Sequence, residues 1–201
     1  MPCLVLDAMG VLFESADDVA ELLVPFIQKN GGNHSIEAIE SAYTEASLGR
    51  LEADNFWHRF DIDPDREDDF LALHRLNQGV SELLALAQER EVPVWCLSND
   101  VGRWSQKLRQ RLGIEERLAG SIISGDVGVR KPDAGIYQAL LSASKTRSGD
   151  LYFVDDREKN VIAARQLGIE SDLFTEVKGF ENAKGWLDRV KGQDACTRVL
   201  T

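Results

Sequence analysis

The residues most able to do chemistry are Asp7, the run Ser98-Asn99-Asp100 and the doublet Asp155-Asp156, because each ends an apolar run. Leu4-Val5-Leu6 leads into Asp7, Val92 to Leu97 leads into Ser98, and Tyr152-Phe153-Val154 leads into Asp155. Short apolar runs of this kind read as buried parallel strands. Ligands of an open α/β sheet bind just beyond the carboxyl ends of such strands. A single ending is explained by the turn preference of Asp and Asn. Three endings that deliver carboxylates and a hydroxyl to one rim describe a site. Carboxylates gathered there cannot all stay ionised without a cation or shifted pKa values. Mg²⁺ suits such a cluster, being held by one or two carboxylates while water and a phosphate complete its octahedron. Lys131, within Gly128-Val129-Arg130-Lys131-Pro132-Asp133, would add positive charge, or would be an ordinary exposed loop lysine. The Ser98 hydroxyl and nearby backbone amides would hold phosphoryl oxygens, and the same run would cap the following helix.

The elements that must position these groups follow from the pattern of apolar residues. Strands are expected at Cys3–Asp7, Pro93–Leu97, Ser121–Ile123, Leu151–Val154 and Asp172–Phe174. From Gly79 onward they alternate with helices at Val80–Arg90, Gly102–Leu112, Ala134–Ala143, Glu158–Leu167 and Phe180–Val190. This alternation predicts βαβ units and an α/β fold: a three-layer, Rossmann-like, mostly parallel sheet. Between the first two strands the pattern is helical, over Ser15–Asn30, Ser35–Leu48, Ala53–Phe60 and Arg66–Asn77. The expected division is a core of residues 1–14 and 79–201 and a helical cap of residues 15–78. The acidic stretch Asp61 to Asp69 reads as a solvated connector and helix start. A frayed tail is expected after Lys191.

The 201 residues carry a formal net charge of −11. That balance makes nucleic acid and anionic membrane poor partners. Any anion site must then supply its own positive charge from a metal, a lysine or backbone amides. No stretch is apolar enough for a membrane span, and residues 1–20 lack a basic start and a cleavage pattern. Cys3, Cys96 and Cys196 are odd in number and widely spaced, and the first two fall in expected buried strands, which points to a reduced, cytoplasmic compartment. The histidines (His34, His58, His74) all fall in the helical cap and have neither triad nor zinc spacing. Nucleotide-binding glycine loops are also absent.

Asp7 in Leu-Val-Leu-Asp-Ala-Met-Gly-Val-Leu, Ser98-Asn99, Lys131-Pro132-Asp133, and Phe153-Val154-Asp155-Asp156 with Asn160 resemble, in order, the four motifs of the haloacid dehalogenase superfamily. The helical insertion resembles that superfamily's small helical cap. The resemblance implies a Mg²⁺-dependent hydrolase acting on a small phosphorylated molecule. Asp7 would be the nucleophile, forming an aspartyl-phosphate, and would bind Mg²⁺ through its second oxygen. Asp156 and the Met9 carbonyl would be direct ligands, with Asp155 bound through water. Ser98 and the Asn99 amide would hold the phosphoryl group, and Lys131 would neutralise charge. Such a set would suffice for the first step of phosphoryl transfer by positioning and electrostatics.

Met9 departs from the pattern. Phosphatases of the superfamily usually carry a second Asp there, which protonates the leaving group and activates water. Three readings follow: a slow or selective phosphatase with an acid borrowed from the loop (Glu14 being nearest) or from the cap; a 2-haloacid dehalogenase, whose halide leaves without a proton; or a fold that has lost catalysis and serves as a binding or regulatory module. Phosphonate cleavage through a cap lysine is unattractive, since Lys29 is the only lysine between Asp7 and Ser98. Substrate choice would come from the cap, with Arg50 as an anion clamp and Trp57 as an apolar wall, or with Trp57 packing the cap's own core beside Phe56 and Phe60. Trp95 and Trp104 are expected against the sheet and Trp186 against the last helix layer. Asn160 would brace the metal loop or sit on an exposed helix face. Monomer and homodimer are both compatible with the pattern.

Overall fold

The computed structural model describes the backbone of residues 1–197 and the side chains of residues 1–190. Five strands form one sheet: β1 (Cys3–Leu6), β2 (Val94–Ser98), β3 (Gly120–Ile123), β4 (Leu151–Asp155) and β5 (Glu170–Leu173), in the order β3-β2-β1-β4-β5. All pairs are parallel, so each connection must cross a face of the sheet. Strand β1 is central, with Leu4 opposite Val94 on one side and Tyr152 on the other. The chain builds outward from β1 in both directions, so the carboxyl ends of β1, β2 and β4 meet where the winding reverses.

Alternation along β1 divides the core. Leu4 and Leu6 enter one apolar cluster with Leu83, Leu84, Trp104 and Leu187, whereas Cys3 and Val5 enter another with Ile136, Tyr137 and Ala164. The helices inserted between β1 and β2, called the cap below for their place in the chain, are in order α1 (Val24–Asn30), α2 (Ile36–Ala46), α3 (Ala53–His58) and α4 (Glu67–Leu71). The core helices are α5 (Val80–Glu89), α6 (Gly102–Arg111), α7 (Ser124–Val127), α8 (Ala134–Ser144), α9 (Glu158–Gln166) and α10 (Glu181–Thr197). Part of the tail expected to fray lies outside the described residues, and the backbone of α10 continues through Lys191. Cys3 and Cys96 are buried, and desolvation pushes both thiols up to about 12, so they act as small apolar groups.

Three sequence expectations change. The helix expected from Ser15 begins as a π-turn at Val19–Leu23, because Pro25 in the first turn of α1 has no N–H and resets the hydrogen-bond ladder. The helix expected to reach Asn77 stops at Leu71. The returning strand of chain bonds instead to the loop after β1, through Glu14 N–H to Arg75 O (3.1 Å) and Asn77 N–H to Leu12 O (2.9 Å). Long-range pairing outweighs local helix propensity there.

The acidic stretch is also more than a solvated connector. Glu67 is buried and accepts from Trp57 Nε1 at 3.0 Å, Trp104 Nε1 at 2.6 Å and Arg103 at 2.6 Å, with Lys107 at 3.0 Å. Burial alone would raise its carboxyl, but donation from Arg103, Lys107 and Trp57 outweighs that and holds it below the usual range. Trp104, in the apolar cluster that Leu4 and Leu6 of the sheet enter, also joins Phe26, Phe56, Trp57 and Phe70 in an aromatic cluster that joins α6 to the cap. Trp57 lies in that cap core. Trp95 lies half-buried over Gly120 of the neighbouring strand, and Trp186 stacks on Tyr152 at 5.1 Å.

Candidate active site

The loop after β1 is a tight apolar turn. Asp7 N–H donates to Val154 O at 2.9 Å, Leu12 N–H returns to Asp7 O at 3.3 Å, and Phe13 N–H bonds Ala8 O at 2.8 Å. Gly10 lies at φ +74°, and a Cβ there would meet Asp156 Oδ2 at 2.6 Å. Only glycine lets this loop close over the acidic doublet. No backbone amide among the described residues takes the Met9 carbonyl.

Lys131 is buried, not an exposed loop lysine. Its ammonium donates to Leu97 O at 2.6 Å, lies 2.8 Å from Asp155 Oδ2 and 2.6 Å from Asp7 Oδ1. Three partners commit all three of its protons. Burial would lower its pKa, but Asp155 and Asp7 more than reverse this and keep it cationic. Asn99 fixes the lysine from behind: its Nδ2 donates to Lys131 O at 2.9 Å and its Oδ1 accepts from Lys131 N–H at 2.7 Å.

Asp155 is fully buried and saturated. Besides Lys131 it accepts from Arg157 N–H at 2.8 Å and from Asn160 Nδ2 at 3.0 Å to each oxygen. Asn160 is therefore a buried brace and not an exposed helix residue. Asp155 thus holds the lysine in addition to standing beside Asp7 and Asp156. Asp7, Asp155 and Asp156 each still offer an oxygen within 4.8 Å of the others. Burial raises the Asp7 carboxyl, Asp155 raises it further, and Lys131 opposes both. Asp156 is pushed up to about 6 by burial and by Asp155. A cation between Asp7 and Asp156 would relieve this repulsion.

Three buried polar atoms on residues that line one cavity of about 320 Å³ have no partner among the described residues: Ser98 Oγ, Asp156 Oδ1 and Asn160 Oδ1. Asp7, Met9, Asn99 and Lys131 line the same cavity. An orphan hydroxyl and an orphan carboxylate oxygen facing the same space fit a phosphoryl group and a divalent cation. The cap contributes Glu40, Tyr43 and Thr44 to the walls, and the core contributes Arg130, Arg157 and Lys159.

The sequence-expected residues Asp7, Met9, Ser98, Asn99, Lys131 and Asp156 are thus brought together, with Asp155 directly behind Lys131. Arg50 is exposed and lies outside the cavity. The cation facing the cap here is Arg130, whose guanidinium lies 5.6 Å from the centre of the Tyr43 ring and donates to Ser47 Oγ. Its position next to Lys131 was the available signal. Glu14 is exposed and also lies outside the cavity, whereas Asp18 is buried and lines it. In sequence Asp17 and Asp18 look like a helix start, which hides this second placement.

Fold and site define a capped α/β core that presents a carboxylate, a hydroxyl and a buried lysine to one cavity. The chain belongs to the haloacid dehalogenase-like hydrolases, whose family profile matches residues 1–168. It is 30% identical over 95 residues to the sesquiterpene phosphatase astK of Aspergillus oryzae, covering 47% of this chain and 48% of that protein. A 51-residue stretch is 47% identical to the drimenol cyclase drtB of Aspergillus calidoustus, covering 25% of this chain and 10% of that protein. The chain thus spans less than half the length of either curated relative. A haloacid dehalogenase family enzyme of Bacteroides thetaiotaomicron, solved with magnesium, has the same fold at TM-score 0.72 and 17% identity, covering 87% of this chain and 93% of that one. Among the described residues no helix is long and apolar enough to cross a membrane.

Proposed function

We propose that this hydrolase is a Mg²⁺-dependent phosphomonoesterase of small, polar metabolites, working through an aspartyl-phosphate on Asp7. The observation that carries the reading is the pair of orphan buried atoms, Ser98 Oγ and Asp156 Oδ1, facing the cavity that holds Asp7. Asp7, Asp156 and the unpaired Met9 carbonyl would hold Mg²⁺. When bound, the ion supplies Lewis-acid neutralisation of the phosphoryl oxygens and of the carboxylates.

Ser98 Oγ donates to a phosphoryl oxygen and aligns the phosphorus with Asp7. The free Asp7 oxygen attacks phosphorus while the bond to the leaving oxygen breaks. Lys131 has no proton to spare for the substrate, so it acts as a fixed charge: it orients Asp7, opposes the burial and the Asp155 repulsion that raise its carboxyl, and favours the transition state electrostatically. Water then attacks the aspartyl-phosphate and releases inorganic phosphate. The charged and polar walls favour a polar substrate over a terpenoid chain, whose apolar surface would find little to cover it.

The test is release of inorganic phosphate from a panel of phosphate esters, with Mg²⁺ and with chelator. Expected is Mg²⁺-dependent hydrolysis that Asp7→Asn abolishes. Cation-independent halide release from chloroacetate, with no phosphate released from any ester, would overturn the reading in favour of a dehalogenase.

A further inference from the structure

The phosphomonoesterase reading leaves a proton unaccounted for, since Met9 can neither give nor take one. The geometry points to Asp18, at the base of the cap, as the group that protonates the leaving oxygen and then takes a proton from the hydrolytic water. This inference rests on the phosphomonoesterase reading and completes its chemistry.

Asp18 belongs to the segment that enters the cap, on the lip of the same cavity as Asp7, Met9, Ser98 and Lys131. The residue is only 6% exposed, yet no cation among the described residues lies within ion-pair distance of it, Arg130 acting only through its field. The other acids fail on position or partner. Glu14 and Asp100 lie outside the cavity, and Glu40 is an exposed residue of its rim. Asp17 is exposed and sits 4.0 Å from Arg157. A buried carboxyl that lines the reacting cavity and has no ion-pair partner to hold its charge is the arrangement a general acid requires.

Its surroundings suit both halves of the task. Asp17 on its own segment disfavours its charge, while Arg130 and the Val19 amide favour it; the charged Asp18 in turn disfavours ionisation of Tyr43 on α2 and of Asp100 after β2. Burial leads, with Asp17 adding to it, and the carboxyl is pushed up to about 7. Near neutrality it is therefore present in both forms.

The proton count closes. As Asp7 bonds to phosphorus, the leaving oxygen takes the Asp18 proton and departs as an alcohol. The Asp18 carboxylate next removes a proton from water as that oxygen attacks phosphorus. The bond between Asp7 and phosphorus breaks, phosphate leaves, and Asp18 is again protonated.

Asp18→Asn separates this role from a structural one when ethyl phosphate and 2,4-dinitrophenyl phosphate are compared at saturating Mg²⁺. Ethoxide needs a proton to leave and dinitrophenoxide does not. Expected is a loss of about 10²–10⁴-fold in kcat on ethyl phosphate. A stoichiometric burst of dinitrophenolate should persist with slowed steady-state turnover, because water activation is also lost. The fall of kcat/KM for ethyl phosphate above about pH 7 in the wild type should vanish in the variant and return in Asp18→Glu. Equal losses on both esters with the pH limb retained, or no loss on ethyl phosphate, would overturn the assignment. A wild-type protein inert toward both esters would instead bring down the phosphomonoesterase reading itself.

Discussion

Trp104 Nε1 of the core donates to Glu67 Oε2 of the cap at 2.6 Å, so cap and core are joined by a buried carboxylate with three side-chain donors and an ion pair to Lys107. Removing that carboxylate leaves two indole N–H groups unsatisfied and two cations without their shared partner. Glu67→Ala is expected to lower unfolding stability by about 3 kcal/mol. That is the lower end of the range for a broken buried pair, because Arg103 and Lys107 are about 40% exposed and keep part of their hydration. Denaturant titration measures the loss. A change below about 1 kcal/mol, the usual size for an exposed pair, would show that the cluster packs without depending on the charge.

Lys131 makes a sharper prediction because three acidic groups depend on it. In Lys131→Met, Asp7, Asp155 and Asp156 remain together with only Arg157, 3.7 Å from Asp156 Oδ2, as a neighbouring protein cation. Activity toward any phosphate ester should fall by at least about 10²–10³-fold, the scale of one lost electrostatic stabiliser. Thermal stability should fall in chelator and recover partly with Mg²⁺, since ligand binding to the folded state alone adds stability. Equal melting temperatures with and without Mg²⁺ would argue against a cation between Asp7 and Asp156.

How far the sequence carries the reader depends on where each constraint originates. Strand-tip residues were legible because a buried parallel strand is a continuous apolar run and its polar terminus is conspicuous: Asp7, Ser98 and Asp156 reach one cavity as their positions implied. The parts that were not legible depend on long-range partners. Nothing local distinguishes Glu67 from the exposed acids around it, because its donors Trp104 and Arg103 come from the other side of the cap insertion. Likewise Leu76 and Asn77 fit a helical pattern until the loop after β1 pairs with them. Asp18 and Asp17 are identical in type and adjacent, and only the fold buries one of them.

His74 gives the stability a pH dependence of known sign. Its ring is buried against Phe13 and Phe70 with both nitrogens unpartnered, and desolvation lowers its pKa from 6.5 to about 4. The unfolded chain therefore takes up a proton below pH 6.5 that the folded chain refuses until about pH 4. Stability tied to this group is present above pH 6.5 and is lost as pH falls toward 4, by about 3 kcal/mol in total. Asp18 works in the opposite direction: its raised carboxyl costs stability as pH rises from 4 toward 7. The wild-type curve sums both, so His74→Phe is the informative variant. Relative to wild type it should gain stability steadily as pH drops from 7 to 5 in urea titrations. Parallel curves would mean that the folded ring titrates normally.

The last prediction concerns Met9, which lines the cavity at the position where the superfamily's phosphatases usually carry a second Asp. If Asp18 performs the proton transfers, a carboxylate introduced at Met9 duplicates a function in the wild type and replaces it in Asp18→Asn. Met9→Asp alone should change kcat on ethyl phosphate by about tenfold or less, because acid catalysis is already supplied. In the Asp18→Asn background the same substitution should recover at least about 10²-fold, the lower bound for a positioned general acid. The added charge lies near Asp7 and Asp156, so the variant should need higher Mg²⁺ only if the cation fails to offset the new repulsion. Steady-state kinetics on the four proteins form a double-mutant cycle, and its coupling measures whether the two carboxyls do the same work. Equal gains from Met9→Asp in both backgrounds would mean that Asp18 is not the acid.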